Sequence, residues 1–91
     1  MTTNAEWITV DPQRILAAIE DAAGKVRAAQ GEVVLDFVAV GRIDTKAVEA
    51  LEQLAAVAAE KPATVVLRGV NGDVYKVLKL LRLTDRFSFA S

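Results

Sequence analysis

Residues 32–51, "EVVLDFVAVGRIDTKAVEAL", carry the reading on which the fold turns. From Glu32 to Val40 an extended segment would place apolar side chains on both of its faces. Such a strand belongs inside a parallel sheet covered on both sides. Gly41 breaks the run, and from Thr45 to about Glu60 the period changes. Ala47, Val48, Leu51, Leu54, Ala55 and Ala58 draw one helical stripe, with Glu49, Glu52 and Gln53 off it. The junction holds an acid, a hydroxyl and a base in a row: Asp44-Thr45-Lys46.

The flanking sequence repeats the alternation. "EWITV" (Glu6 to Val10) is rich in strand formers, and Asp11-Pro12 suits a helix start, Asp as N-cap and Pro in the first turn. Ile15, Leu16, Ile19, Ala22, Ala23 and Val26 continue at helical spacing toward Gln30, where Gly31 is a stop. Lys61-Pro62 ends the second helix, because Pro disfavours a helical residue before it. "ATVVLRGV" is the next strand. Asn71-Gly72-Asp73 supplies a turn and cap, and Val74, Val77, Leu78 and Leu81 form a third helical stripe. In "RFSFAS" a short edge strand runs through Phe87 and Phe89. Strand–helix alternation implies a parallel or mixed sheet with right-handed crossovers and about three flanking helices. Residues 1–91 read as one small α/β domain.

Composition removes several function classes. Lys and Arg total 11 against 12 for Asp and Glu, so no overall field draws the chain to nucleic acid or an anionic membrane. Without cysteine there are no disulfides, thiol nucleophiles or thiolate metal sites. Without histidine a Ser-His-Asp triad or a His-ligated zinc cannot be built. No metal site or cofactor is expected. The longest apolar runs are too short to span a bilayer, and "MTTNAEW" lacks the basic start and apolar core of a signal peptide. A cytoplasmic location without membrane insertion is the expectation. Hydrophobic residues reach 53 %, which alanine-rich helix faces or a partner surface would explain.

Catalytic parts are few. Asp36 and Asp44 form the one carboxylate pair expected to meet, at the carboxyl edge of the sheet where open α/β folds place their sites. They have no base or metal ligand beside them, and neither G-x-x-x-x-G-K-[ST] nor G-x-G-x-x-G occurs. No catalytic residue is assigned, and the chain reads as a non-enzyme. The helix start at Asp44 has two readings. Asp44 or Thr45 caps the helix, both being ordinary N-cap residues. Alternatively, the Thr45 hydroxyl receives a phosphate, which would meet the unpaired first-turn amides and the positive end of the dipole. Such a phosphate would repel Asp44, and Lys46 would soften that repulsion. Asp36 likewise either satisfies amides of the loop from Val38 to Ile43 or keeps an acidic environment around Thr45.

The block "VVLDFVAVGRIDTKAVEAL" followed by "ATVVLRGVNGDVYKVLKLLRLTDRF" resembles the STAS family (sulfate transporter and anti-sigma factor antagonist domains). Asp36 matches that family's strand-end acid, and Asp44-Thr45-Lys46-Ala47 stands at its Asp-Ser-Ser-Gly position. Gly69-Val70 and Phe87 also fall in matching places. The resemblance implies a cytoplasmic, non-catalytic phosphoprotein that works by partner switching, with Thr45 as the phosphoacceptor. Asp36, Arg42, Asp44, Lys46 and Glu49 would meet the partner, a serine/threonine kinase or an anti-sigma-like protein. "GVNGDVYKVLKLLRL" is also similar to the STAS subunit of the Mla phospholipid transporter, through Asn71, Val74, Tyr75, Lys79 and Leu80. That likeness implies an ABC transporter ATPase as the partner instead. Some STAS domains bind nucleotides or lipids, but no residue here names a ligand. Lys46 and Ala47 depart from the family's small Ser-Gly pair. The amino-terminal part holds one strand where most members have a hairpin, so an unpaired sheet edge is expected near Trp7, open to homodimerisation or docking.

Overall fold

The computed structural model describes residues 5–28, 31–60 and 63–90. Its elements run β1 (Ala5–Thr9), α1 (Ile15–Ala28), β2 (Gly31–Asp36), α2 (Thr45–Ala59), β3 (Ala63–Arg68), α3 (Gly72–Leu80) and β4 (Ser88–Ala90). The four strands lie in the order β1-β2-β3-β4, each parallel to the next. In register, Trp7 sits beside Val34, Val34 beside Val66, and Val66 beside Ser88. The sheet is therefore wholly parallel, and the short segment at Phe89 forms its fourth strand.

Every crossover steps one strand in the same direction, so right-handed connections put all three helices on one face. Burial agrees. Ile8, Val33, Leu35, Val65 and Leu67, which share a face by alternation, join one core with Ile19, Leu51, Leu54, Val74 and Leu78 of the helices. Val34 points the other way and is buried without belonging to that core. The expectation of a second strand covered on both sides is thus corrected. On the face to which Val34 points, Arg68 on β3 places its guanidinium 5.6 Å from the ring of Trp7 on β1, with β2 between them. The strand also stops at Asp36 rather than Val40. Phe37 begins a tight turn, closed by the Val40 amide on the Phe37 carbonyl (2.9 Å), and both side chains drop into the core. Their apolar character belongs to this plug and not to a longer strand.

The helix ends follow local chemistry. Asp11 spends its side chain on the Gln13 amide (2.9 Å) and its carbonyl on Arg14 (2.8 Å), so a turn precedes α1 and the helix proper starts at Ile15. Gln30, Lys61 and Pro62 lie outside the described residues. α3 is capped by Asn71 and closes with paired backbone bonds, Arg82 amide to Lys79 carbonyl (3.1 Å) and Leu83 amide to Leu78 carbonyl (2.9 Å). This is the Schellman pattern, with Leu83 and Leu78 buried together beneath it. Leu81, expected in the helical stripe, is instead the C-cap and is 44 % exposed. Tyr75 of α3 meets Phe89 of β4 edge-to-face at 5.4 Å, fixing the last strand to the last helix.

Candidate functional site

Asp44 sits in extended conformation (φ -97°, ψ -179°) immediately before α2. Its carboxylate accepts from the Ala47 amide (2.8 Å), and its carbonyl accepts from the Val48 amide (3.0 Å). The cap is therefore Asp44, and among the described residues the Thr45 hydroxyl has no hydrogen-bond partner. Thr45 is the first helical residue and is exposed. Among the described residues the amides of Thr45 and Lys46 have no acceptor, as expected for a helix start with one cap. The positive end of the α2 dipole thus lies beside an accessible hydroxyl.

The loop that delivers this helix start is held from below. The Asn71 side-chain amide donates to the carbonyls of Gly41 (2.9 Å) and Val40 (3.4 Å), while its oxygen caps α3 through the Val74 amide (2.8 Å). The Phe37 amide donates to the Arg68 carbonyl (2.7 Å), extending the β2–β3 ladder into the turn. Gly69 adopts φ +71°, and a Cβ there would collide with the Val38 side chain. Gly69 is thus required twice, for its backbone angle and for the approach of Val38. Sequence reading identified Asn71 as a cap but missed that it also grips the Thr45 loop. The signal available was only local, Asn before Gly-Asp.

The predicted site residues divide into two groups. Asp44, Thr45 and Glu49 line one groove, of about 390 Å³, with Ile43, Val48 and Glu52 on one wall and Val77 of α3 and its C-cap Leu81 on the other. Arg42 and Lys46 are exposed beside it without lining it. Ile43, Val48, Val77 and Leu81 make its apolar lining, and the carboxylates of Asp44, Glu49 and Glu52 lie on its α2 side. Glu52, Val77 and Leu81 were not in the sequence-derived set: Glu52 follows from helical spacing, two turns after Thr45 on α2, whereas Val77 and Leu81 reach the groove only through the tertiary fold. Asp36 belongs elsewhere. It accepts from the Val38 amide (3.0 Å) and faces Arg68 at 3.5 Å, on the helix-free side of the sheet. The Val38 bond is the structural role foreseen for Asp36. At that length and exposure the ion pair contributes little, about 0–1 kcal/mol. Asp36 and Asp44 share no hydrogen-bond partner among the described residues. No helix of the described residues is long and apolar enough to cross a membrane.

Comparison with known proteins agrees with this architecture. A stretch of the tRNA modification GTPase MnmE of Synechococcus sp. (strain WH7803) is 36 % identical over 78 residues, covering 84 % of this chain and 17 % of that protein. The chain thus spans a small part of that relative's length. A solved structure, assigned as an anti-sigma factor antagonist of Thermotoga maritima, superposes with a TM-score of 0.67 at 16 % identity. The match covers 100 % of this chain and 76 % of that one, which establishes a common fold. The family model described as "Mlab, STAS domain" matches residues 11–88, a span that holds the α2 cap, the Asn71 clamp and the groove between α2 and α3. The chain belongs to this STAS family.

Proposed function

We propose that the chain is a non-catalytic regulatory interaction module whose partner surface is the start of α2 and the groove beside it, switched by phosphorylation of Thr45. The observation that carries this reading is the exposed Thr45 hydroxyl at the first position of α2, next to unaccepted amides. Membership of the STAS family and the fold shared with a protein assigned as an anti-sigma factor antagonist support it. A phosphate adds close to two negative charges beside the Asp44 carboxylate, on the wall that already carries Glu49 and Glu52. Each new like-charge pair at such a surface costs about 1 kcal/mol in water. An apolar partner segment seated against Ile43, Val48 and Leu81 would be expelled, whereas a basic one would be retained. Thr45 is the phosphoacceptor, and Arg42, Asp44, Lys46 and Glu49 flank it as contact residues. Asp36 acts at one remove, by fixing the Val38 amide at the start of the loop.

Incubation with the cognate serine/threonine kinase and ATP is expected to add one phosphate, absent from Thr45→Ala. Thr45→Glu should weaken binding of the anti-sigma-like partner at least tenfold. A wild-type chain that never labels, together with unchanged binding by Thr45→Glu, would falsify the switch.

The description "Mlab" of the matching family favours a second reading. There the same groove docks constitutively on the ATPase of an ABC phospholipid transporter, and Thr45 serves as a contact rather than an acceptor. Co-purification with such an ATPase, lost in Thr45→Glu and undisturbed in Thr45→Ser without any phosphate, would select it. Absence of any transport protein from the pull-down would remove it.

A further inference from the structure

The outer edge of β1 is unpaired among the described residues. The ladder shows which groups point there. The Val10 amide donates to the Asp36 carbonyl (3.0 Å), so Val10 turns its backbone toward β2. Alternation along the strand then turns the N–H and C=O groups of Ala5, Trp7 and Thr9 outward. By the same alternation the Trp7 and Thr9 side chains lie on the sheet face that carries no helix. Trp7 is 60 % exposed, though it stands at the centre of the strand.

Natural edge strands are usually protected by Lys, Pro or a bulge. β1, with the sequence AEWIT, has neither residue and pairs in unbroken register with β2; its one charge, Glu6, lies on the helix side and is paired with Lys25. We propose that β1 pairs antiparallel with β1 of a second copy of this chain about a two-fold axis at Trp7, joining two four-stranded sheets into one. Centring on Trp7 is the register that pairs the whole strand. Ala5 falls opposite the copy's Thr9, and Trp7 opposite the copy's Trp7, each pair exchanging both of its N–H···O bonds. No like charges are directly opposed, since Glu6 falls opposite the copy's Ile8; the two Glu6 side chains are diagonal neighbours, and each is held on its own chain by Lys25 at 3.8 Å. On the helix-free face the two indoles form an aromatic cross-strand pair, each backed by its own Arg68. The occupant of this edge is thus a self-complementary strand. A strand pair with two indoles is smaller than the roughly 1,200 Å² of stable interfaces, so the dimer is weak, with Kd on the order of 100 µM.

Sedimentation velocity from about 5 µM to about 1 mM should show a monomer–dimer equilibrium. Emission of the chain's single tryptophan should shift to the blue over the same range. Trp7→Glu sets like charges against each other across the axis. Thr9→Pro removes an outward N–H without touching the β1–β2 ladder. Each is expected to raise Kd at least tenfold with an unchanged far-UV spectrum. The chain has no cysteine, so Trp7→Cys reports the register directly. Opposed Cα atoms of a hydrogen-bonded pair lie about 5.5 Å apart, within disulfide reach. Under mild oxidation Trp7→Cys should cross-link, and Leu80→Cys, 83 % exposed on α3, should not. The proposal is overturned by a monomer at every concentration, including one that binds an extended peptide at β1 instead. Self-association with equal Kd in both variants, or equal cross-linking through Leu80→Cys, also overturns it.

Discussion

The side-chain amide of Asn71 donates to the carbonyl of Gly41 at 2.9 Å, across 30 residues of sequence. One side chain thereby caps α3 and holds the loop that leads into α2. The start of α2, where Thr45 lies, is positioned by the start of α3, and the groove between the two helices inherits its shape from that bond.

Replacing Asn71 should test both roles. Asn71→Ala loses a cap of about 1 kcal/mol and a loop hydrogen bond of similar worth, so the urea midpoint should fall by about 2 kcal/mol in stability terms. Asn71→Asp keeps the capping oxygen but turns a carboxylate toward the carbonyls of Val40 and Gly41. Hydrogen exchange should then accelerate around residues 41–46 while α3 stays protected. Equal exchange in the two segments would show that the clamp holds no loop.

Gly69→Ala should be the most costly small substitution in the chain. The left-handed backbone costs about 1–2 kcal/mol for a residue with a Cβ, and the clash with Val38 adds to it. Val38 is 65 % exposed, so Val38→Ala alone should change stability little. Combining the two should remove the contact with the Val38 methyl and leave the backbone part plus tight contacts with the Cα and Cβ of residue 38 at 3.3 Å, a coupling of about 1 kcal/mol in a double-mutant cycle of thermal unfolding. Strict additivity would show that the two residues do not constrain each other.

Arg82 occupies the position after the α3 C-cap at φ 60°, where glycine is the usual residue. Arg82→Gly should stabilise the chain by about 0.5–1 kcal/mol, read from the urea midpoint. A loss of stability would mean that the arginine side chain holds a contact worth more than its backbone strain.

Asp44 separates capping from charge. Asp44→Ala should cost about 1 kcal/mol, and Asp44→Asn, an equally good N-cap, should fall within about 0.5 kcal/mol of the parent in thermal unfolding. If Asn is as costly as Ala, the negative charge at the helix start matters beyond the hydrogen bond to Ala47.

The legible part of the site was the part written in consecutive residues. Asp-Thr before an apolar stripe announced the α2 cap, and Asn-Gly-Asp announced the start of α3. Phe37 to Val40 misled, because an apolar run beyond a strand looks the same whether it continues the ladder or turns down as a plug. The α1 start was placed early because Asp11 resembles a cap but closes a separate turn.

Hydrophobic period, capping side chains and glycine positions act within a few residues. They suffice to read the elements, their alternation and the location of Thr45 at a helix start directly from the chain. Three features belong to the tertiary structure alone. All strands step the same way, which leaves one sheet face without helices. Val77 and Leu81 complete a groove around Thr45, and Arg68 reaches across β2 to Trp7. Each joins residues far apart in the chain, and no local preference encodes which distant surface a segment will meet. That choice is made when one core is packed around one side of the sheet.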